Sequence, residues 1–300
     1  MNSVREKGYA KVNLFLDVLQ KNGEFHDIDT VVATVSLYDS VTISKRRDDK
    51  IVLRTGGGLY RVPDREENDN AFKAASLFQK TFNTKGVDIT VTKKIPVGGG
   101  LGGSSADIAA TLKGMKKLFG IDCDLKPLAD SLGSDASFMI EGGFARLTGR
   151  GVDAEYFDAD NVKLHLLIAT PKFSVSAKNC YAEYDNEPSE KSTTDGAKVV
   201  QNLINGAVLK SDFYNALYPA AVRINSEIER VYGLIAALSP VATVMSGSGS
   251  SIFGVFECKE LCDWAKDKLK RENLILNVVE TLSKKELEKT SFFHNPFSVS

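Results

Sequence analysis

The stretch PVGGGLGGSSA, residues 96–106, contains five glycines among eleven residues and directly follows the apolar run DITVTKKI. Glycine held in regular structure costs roughly 0.5 to 1 kcal/mol relative to alanine, so this number of glycines needs a reason. A strand, a glycine turn and a helix N-terminus together bind anions, because bare amides face outward and the helix dipole adds about half a positive charge. The stretch therefore predicts a phosphate-binding loop. A flexible loop with Ser104 or Ser105 as helix N-cap is the alternative that it leaves open.

Two common phosphate-binding motifs do not fit this loop. Gly98, Gly100 and Gly103 satisfy G-x-G-x-x-G, but a dinucleotide-binding fold needs a second apolar strand after the following helix, and the sequence there is GIDCDLKPLADSLG. A Walker loop needs a lysine after its last glycine, whereas Gly103 is followed by two serines. We therefore expect the loop to hold a phosphate in another way.

The composition is that of a globular chain without a strong overall charge. With 38 basic and 39 acidic residues the formal charge is −1, so net charge recruits neither nucleic acid nor a membrane. The first apolar run is interrupted by Lys11, Asn13 and Asp17, which argues against a signal peptide or a spanning helix. Cys258 and Cys262 have no second Cys or His pair nearby, which favours free thiols over zinc. These features predict a cytoplasmic protein.

Strand patterns dominate the early chain and helix patterns the later chain. Runs rich in Val, Ile, Thr and Tyr predict strands at residues 9–19, 30–44, 50–56 and 86–95. Apolar spacing predicts helices at residues 69–82 and 105–119. This order predicts an α+β protein with two domains, 1–155 and 156–285, and a tail at 286–300.

A second glycine turn, MSGSGSS at residues 245–251, lies between two strand-like runs. Two strand-bounded glycine turns in one chain can face one ligand from opposite domains. This second turn favours the ligand-binding interpretation of the first one over a merely flexible loop.

Several motifs, in order, resemble those of the GHMP kinases, a family of small-molecule kinases. PVGGGLGGSSADIAATL is similar to the second motif of the family, AKVNLFLDVL to its first and MSGSGSSIFGVF to its third. The segments KNGEFHDIDT, DNAFKAA, LADSLGSDASFMIEGG and FSVSAKNCY resemble the branch whose alcohol substrate carries a cytidine diphosphate group. The likeness extends over about residues 8–280.

The resemblance implies an S5-like N-terminal domain and a C-terminal domain of α/β-sandwich type, with the active site in the cleft between them. ATP and Mg²⁺ would bind there beside a small-molecule alcohol, and the metal ligands and oligomeric state stay open. Its expected ATP-binding residues are Pro96, Gly98, Gly99, Gly100, Leu101, Gly102, Gly103, Ser104 and Ser105, with Gly247, Ser248 and Gly249 in the third motif.

The resemblance also nominates a catalytic pair. Asp135 falls on the family's catalytic aspartate, which orients the hydroxyl and accepts its proton. Lys11 falls on the partner lysine, which offsets the charge that spreads over the γ-phosphoryl oxygens. From the residues alone, Asp135 is a helix N-cap and Lys11 a surface lysine at a strand end.

The same resemblance predicts a pocket for the cytosine ring. Phe25 and Tyr181 match the two aromatic residues that sandwich the ring. His26 matches the residue that forms hydrogen bonds with the edge of the ring, and Asn13 matches a residue that lies near the phosphates. From the residues alone, Phe25 and Tyr181 are aromatic residues of the core, and His26 is a polar histidine whose hydrogen bonds are satisfied. Two residues depart from the family pattern: Phe25 stands where tyrosine is usual, and Ala177 stands where threonine is usual. Two alternatives therefore stay open, a kinase for a different alcohol and a degenerate homologue that only binds nucleotide.

Overall fold

The structure is a computed structural model that describes residues 1–23, 25–56 and 66–292, with side chains described as far as residue 289. Its described elements form two sheets and ten α-helices. The predicted α+β class is therefore confirmed.

Two long antiparallel strands form the centre of the larger sheet. They are β1 (Ser3–Asn22) and β2 (Phe25–Lys45). Their pairing is irregular between Tyr9 and Lys11 and again between Asn13 and Phe15. Because such irregularities redirect side chains, they matter for Lys11 and Asn13, which lie between them.

The larger sheet has the strand order β3-β4-β2-β1-β8, and a hairpin of β5 and β6 is added through β2. The additional strands are β3 (Ile51–Gly56), β4 (Val87–Thr92), β5 (Phe144–Gly149), β6 (Asp153–Phe157) and β8 (Tyr214–Asn215). The predicted domain boundary at residue 155 falls inside β6, and β8 comes from the later part of the chain. The division into two domains at this residue stays a prediction.

The smaller sheet has the order β11-β7-β10-β9, with all neighbours antiparallel. Its strands are β7 (His165–Pro171), β9 (Ala242–Met245), β10 (Ile252–Phe256) and β11 (Leu274–Glu280). β9 and β10 flank the second glycine turn, as the sequence predicts. One apolar cluster spans both sheets, from Val12 in β1 to Phe253 in β10.

Helices cover both sheets. They are α1 (Asn70–Phe82), α2 (Gly103–Phe119), α3 (Lys126–Asp130), α4 (Ala136–Glu141), α5 (Ala177–Asn186), α6 (Gly196–Ile204), α7 (Tyr218–Ile224), α8 (Glu227–Ala236), α9 (Lys259–Leu269) and α10 (Lys284–Phe292). None of those described has the length and apolar character needed to cross a bilayer. The predicted tail at 286–300 is helical as far as residue 292, and the rest of it lies outside the described residues.

Helix α2 lies directly on β1 and carries the glycine loop at its N-terminus. A Cβ atom on Gly8 would lie only 2.4 Å from the Ala106 carbonyl oxygen, so the helix and strand backbones approach closely. The prediction that Ser104 or Ser105 caps this helix is wrong. Gly102 holds the N-cap position with φ of 71°, and the serines lie inside the first helical turn.

Candidate active site

The two glycine stretches are in direct contact. The Ser251 amide donates a 3.2 Å hydrogen bond to the Gly99 carbonyl oxygen, and the Ser246 hydroxyl donates a 2.9 Å bond to that of Gly100. A Cβ atom on Gly100 would lie 2.0 Å from the Ser246 carbonyl oxygen, and Gly100 has φ of 75°. Only glycine fits this position without displacing backbone. The structure thus brings together the two turns that the sequence singled out.

A cleft of about 400 Å³ lies along the first glycine stretch. It is lined by residues 95–104 and by Thr55, Asn68, Asp69, Asn70, Lys93, Asp107, Val175, Ala177, Ser248 and Gly249. No side chain caps the N-terminus of α2, so amides of its first turn stay available as donors. A cleft bounded by these amides and by the helix dipole suits a phosphate chain.

Lys11 and Asp135 form an ion pair beside this loop. The Lys11 backbone amide donates to the Leu101 carbonyl oxygen at 3.0 Å, which fastens β1 to the loop. The Lys11 Nζ lies 3.3 Å from Asp135 Oδ2, and the Asp135 side chain is one-third exposed. Asp135 occupies the N-cap position of α4, but its side chain makes no capping hydrogen bond. Lys11 is buried, so the surface-lysine alternative is not realised, whereas the N-cap alternative for Asp135 is realised in position but not as a capping hydrogen bond.

Asn13 lies beneath this pair rather than on the cleft wall. It is 3% exposed, its Oδ1 accepts a 2.7 Å hydrogen bond from Lys11 Nζ, and its Nδ2 donates a 2.9 Å bond to Thr30 Oγ1. The structure therefore connects Asn13 to the predicted catalytic lysine. Thr30 has no distinguishing sequence context, and sequence reasoning missed it.

The predicted cytosine pocket is arranged differently from a simple sandwich. The rings of His26 and Tyr181 are stacked, with centroids 5.1 Å apart, while half-exposed Phe25 has the Arg150 guanidinium 3.6 Å above its ring. His26 Nε2 lies 2.6 Å from Asp185 Oδ1. Phe25 thus presents an exposed aromatic surface at the start of β2, and Arg150 adds a cation that the sequence did not suggest.

A buried charge cluster borders the cleft and was also missed. Lys93 Nζ lies 2.5 Å from both Asp39 Oδ2 and Asp107 Oδ2. Burial, reinforced by the charge of Asp39, raises the pKa of Asp107 to about 7 against the lowering effect of Lys93. Burial acts to lower the pKa of Lys93, but the two carboxylates hold it above its usual value. Two carboxylates therefore share one ammonium group under the start of α2.

Comparison with known proteins decides the family. Residues 69–149 match the model of the GHMP kinases N terminal domain. A curated 4-diphosphocytidyl-2-C-methyl-D-erythritol kinase of Caldicellulosiruptor saccharolyticus is 35% identical over 270 residues, which cover 88% of this chain and 92% of that protein. The chain belongs to the GHMP kinase family. It is accordingly a small-molecule kinase that uses ATP.

Further GHMP kinases agree with this assignment. The protein of the same name from Clostridium beijerinckii is 30% identical over 284 residues, covering 92% of this chain and 99% of that protein. A crystal structure of 4-(cytidine 5'-diphospho)-2C-methyl-D-erythritol kinase superposes with a TM-score of 0.79 at 25% identity, covering 93% of this chain and all of that chain. The crystal structure of homoserine kinase from Cytophaga hutchinsonii superposes with a TM-score of 0.68 at 19% identity, covering 94% of this chain and 95% of that chain. The two proteins therefore share the GHMP fold.

Proposed function

We propose that this GHMP kinase transfers the γ-phosphoryl group of ATP to the 2-hydroxyl of 4-diphosphocytidyl-2-C-methyl-D-erythritol, a step in isoprenoid precursor synthesis by the non-mevalonate route. The ion pair between Lys11 and Asp135, fastened to the glycine loop through Leu101, carries the proposal. The names of the curated relatives and of the similar crystal structure support this substrate. The cytoplasmic location stays a prediction.

The glycine loop and the N-terminus of α2 would hold the ATP phosphates. Backbone amides are good donors to phosphate oxygens, and glycines allow the phosphates to approach the backbone closely. Gly98, Gly100 and Gly102 all have positive φ, which turns successive peptide groups in directions that other residues rarely adopt. The contact with the second glycine turn would close the loop from the side of the smaller sheet.

In the transfer step, the substrate oxygen forms a bond to the γ-phosphorus while the bond from that phosphorus to the β,γ-bridging oxygen breaks. Asp135 would orient the hydroxyl and accept its proton, and ADP leaves with the bridging oxygen. Lys11 would offset the negative charge that spreads over the phosphoryl oxygens. Its burial strengthens this effect because water screens a buried charge less.

Mg²⁺ is part of the proposal as the companion of ATP, and its chemistry would be to neutralise phosphate charge during transfer. Within the described residues, no three His, Cys, Asp or Glu side chains are grouped so that they could hold an ion. Protein-bound Mg²⁺ is commonly held through substrate phosphates and water with few protein ligands. We expect the phosphates of ATP to supply most of its ligands, with the Ser105 hydroxyl or a backbone-held water completing the set.

Phe25, His26 and Tyr181 would recognise the cytosine ring. Aromatic stacking on a base contributes about 1 to 3 kcal/mol, and Phe25 offers an exposed ring for it. Tyr181 is covered by His26, so a sandwich between Phe25 and Tyr181 requires the His26 ring to turn away from Tyr181.

A coupled ADP-release assay tests the proposal. It would contain ATP, Mg²⁺ and the cytidyl compound, with methylerythritol phosphate, homoserine and mevalonate as control acceptors. We expect turnover with the cytidyl compound alone. Turnover with another acceptor in preference to it would replace the substrate, and no turnover with any acceptor would contradict kinase activity toward these alcohols.

A further inference from the structure

Buried polar atoms connect the predicted catalytic lysine to the interior of the large sheet. Lys11 Nζ donates to Asn13 Oδ1 at 2.7 Å, Asn13 Nδ2 donates to Thr30 Oγ1 at 2.9 Å, and the Thr30 hydroxyl donates to the Phe15 carbonyl oxygen at 2.5 Å. Lys11, Asn13 and Thr30 are each at most 5% exposed. Water therefore does not compete readily for these bonds.

The order of donors and acceptors along this chain is determined from both ends. The Phe15 carbonyl can only accept, so the Thr30 hydroxyl must give its proton there. The Thr30 oxygen then has only lone pairs left for Asn13, and the facing atom of Asn13 must be the donor Nδ2. At the other end, the Lys11 ammonium can only donate and requires the acceptor Oδ1.

We infer that Thr30 is a positioning residue that fixes the orientation of the Asn13 amide and, through it, the position of the Lys11 ammonium. If the amide turned over, Nδ2 would face the ammonium and two donors would oppose each other in a buried site. In that arrangement the Lys11 ammonium and the Thr30 oxygen would both lose their hydrogen-bond partner on Asn13. Leaving buried polar groups without a partner lowers the stability of the folded state. With the amide held, Lys11 Nζ has one proton committed to Asn13 and lies beside Asp135.

The inference rests on the proposed role of Lys11 in phosphoryl transfer. Loss of the Thr30 hydroxyl should therefore reduce the transfer step more than it reduces ATP binding. The glycine loop is held by backbone hydrogen bonds from Lys11 and Ser251 and by the Ser246 hydroxyl, and Thr30 takes no part in these bonds.

Thr34 supplies a matched control. It is also buried on β2, is paired with Lys11 in the sheet register, and its Oγ1 has no hydrogen-bond partner among the described residues. Thr34→Val removes a buried threonine hydroxyl from the same strand, at the residue that pairs directly with Lys11, without touching the Asn13 chain. Thr30→Ser keeps the hydroxyl and removes only a methyl group.

The experiment measures kcat and KM for ATP in the wild type and the three variants, together with thermal unfolding. We expect Thr30→Val to lower kcat by about 10- to 100-fold, the range seen when an outer partner of an active-site group is lost. KM for ATP should stay close to that of the wild type. Thr30→Ser should restore most of kcat, and Thr34→Val should leave it nearly unchanged. Equal loss in Thr30→Val and Thr34→Val, or no rescue by serine, overturns the inference.

A crystal structure of Thr30→Val separates this inference from the proposed substrate. We expect the 2.7 Å contact between Asn13 Oδ1 and Lys11 Nζ to be lost in that variant and kept in Thr34→Val. If the contact persists in Thr30→Val, the inference is wrong even when the cytidyl compound proves to be the substrate. If the contact is lost while the compound is not turned over, the inference stands and only the substrate is wrong.

Discussion

Ser246 and Gly100 join the two glycine turns beside the cleft proposed to bind ATP: the Ser246 hydroxyl donates a 2.9 Å hydrogen bond to the Gly100 carbonyl oxygen. Ser246 directly follows β9 in the smaller sheet, whereas Gly100 lies between β4 of the larger sheet and α2. The contact therefore sets the position of the first glycine stretch relative to the second glycine turn.

Gly100→Ala should disturb this contact and weaken ATP binding. The new Cβ would lie 2.0 Å from the Ser246 carbonyl oxygen and 3.0 Å from the Gly249 carbonyl oxygen. Both oxygens belong to the backbone, so they cannot turn away as a flexible side chain would. We expect a clear rise in KM for ATP and a lower free energy of unfolding, measured by steady-state kinetics and chemical denaturation.

Gly206→Ala is the matched control for this substitution. Gly206 has the same φ of 75°, but no atom lies within 4 Å of its Cβ position. It should incur only the conformational cost of a left-handed alanine, about 1 to 2 kcal/mol, with KM for ATP unchanged. Equal effects of the two substitutions would show that the contact with Ser246 adds nothing.

Asp135→Asn should reduce turnover by at least about 10²-fold, the lower end of the contribution of a general base. Asparagine keeps the size of the side chain but cannot accept the proton of the hydroxyl. Since the Asp135 side chain makes no capping bond to α4, the melting temperature should stay close to that of the wild type. Kinetics and thermal unfolding on the same sample check both parts.

Asp122→Asn gives the control for charge removal at an exposed site, because the Asp122 side chain is fully exposed. Its turnover should equal that of the wild type. Unfolding of Asp135→Asn would instead show that buried Lys11 depends on the Asp135 charge for stability, and retained turnover would remove Asp135 from the catalytic role.

The sequence predicted the parts of the site that depend on local backbone demands. Gly98, Gly100 and Gly102 adopt positive φ, and a run of glycines in the sequence predicts such a turn directly. The start of α2 was misplaced for a related reason. The left-handed conformation of Gly102 turns the chain into the helix before the serines, so no serine is needed as a cap.

The missed residues depend on tertiary register. Asp39 meets Lys93 because the antiparallel pairing of β2 and β4 extends to Ser40 and Thr92, the residues next to them, although more than fifty residues separate the two in sequence. Thr30 reaches Asn13 through the irregular pairing of β1 and β2. Neither relationship leaves a pattern in a single sequence, because aspartate and threonine at such positions are common in ordinary strands.

Phe25→Ala should raise KM for the cytidyl compound with little change in KM for ATP. Loss of about 1 to 3 kcal/mol of stacking corresponds to about 5- to 150-fold. Phe25→Tyr keeps the ring and should behave like the wild type. Trp264→Ala removes an aromatic side chain of similar exposure from α9, and should change neither constant. An unchanged KM in Phe25→Ala would contradict stacking on this ring.

Asp107→Asn should change how stability depends on pH. Because the pKa of Asp107 is raised to about 7 from a usual value of 3.8, the folded state binds a proton between these values that the unfolded state releases. The contribution of this group to stability is therefore present at low pH and is lost as pH rises toward and through about 7. We expect the wild type to lose stability relative to Asp107→Asn between about pH 5 and about pH 7.5.

Chemical denaturation of both proteins at the two pH values measures this difference directly, since all other titrating groups are common to them. Asp267→Asn, at a side chain that is largely exposed, controls for the removal of one carboxylate. A difference between wild type and Asp107→Asn that is the same at both pH values would mean that Lys93 keeps Asp107 ionised throughout.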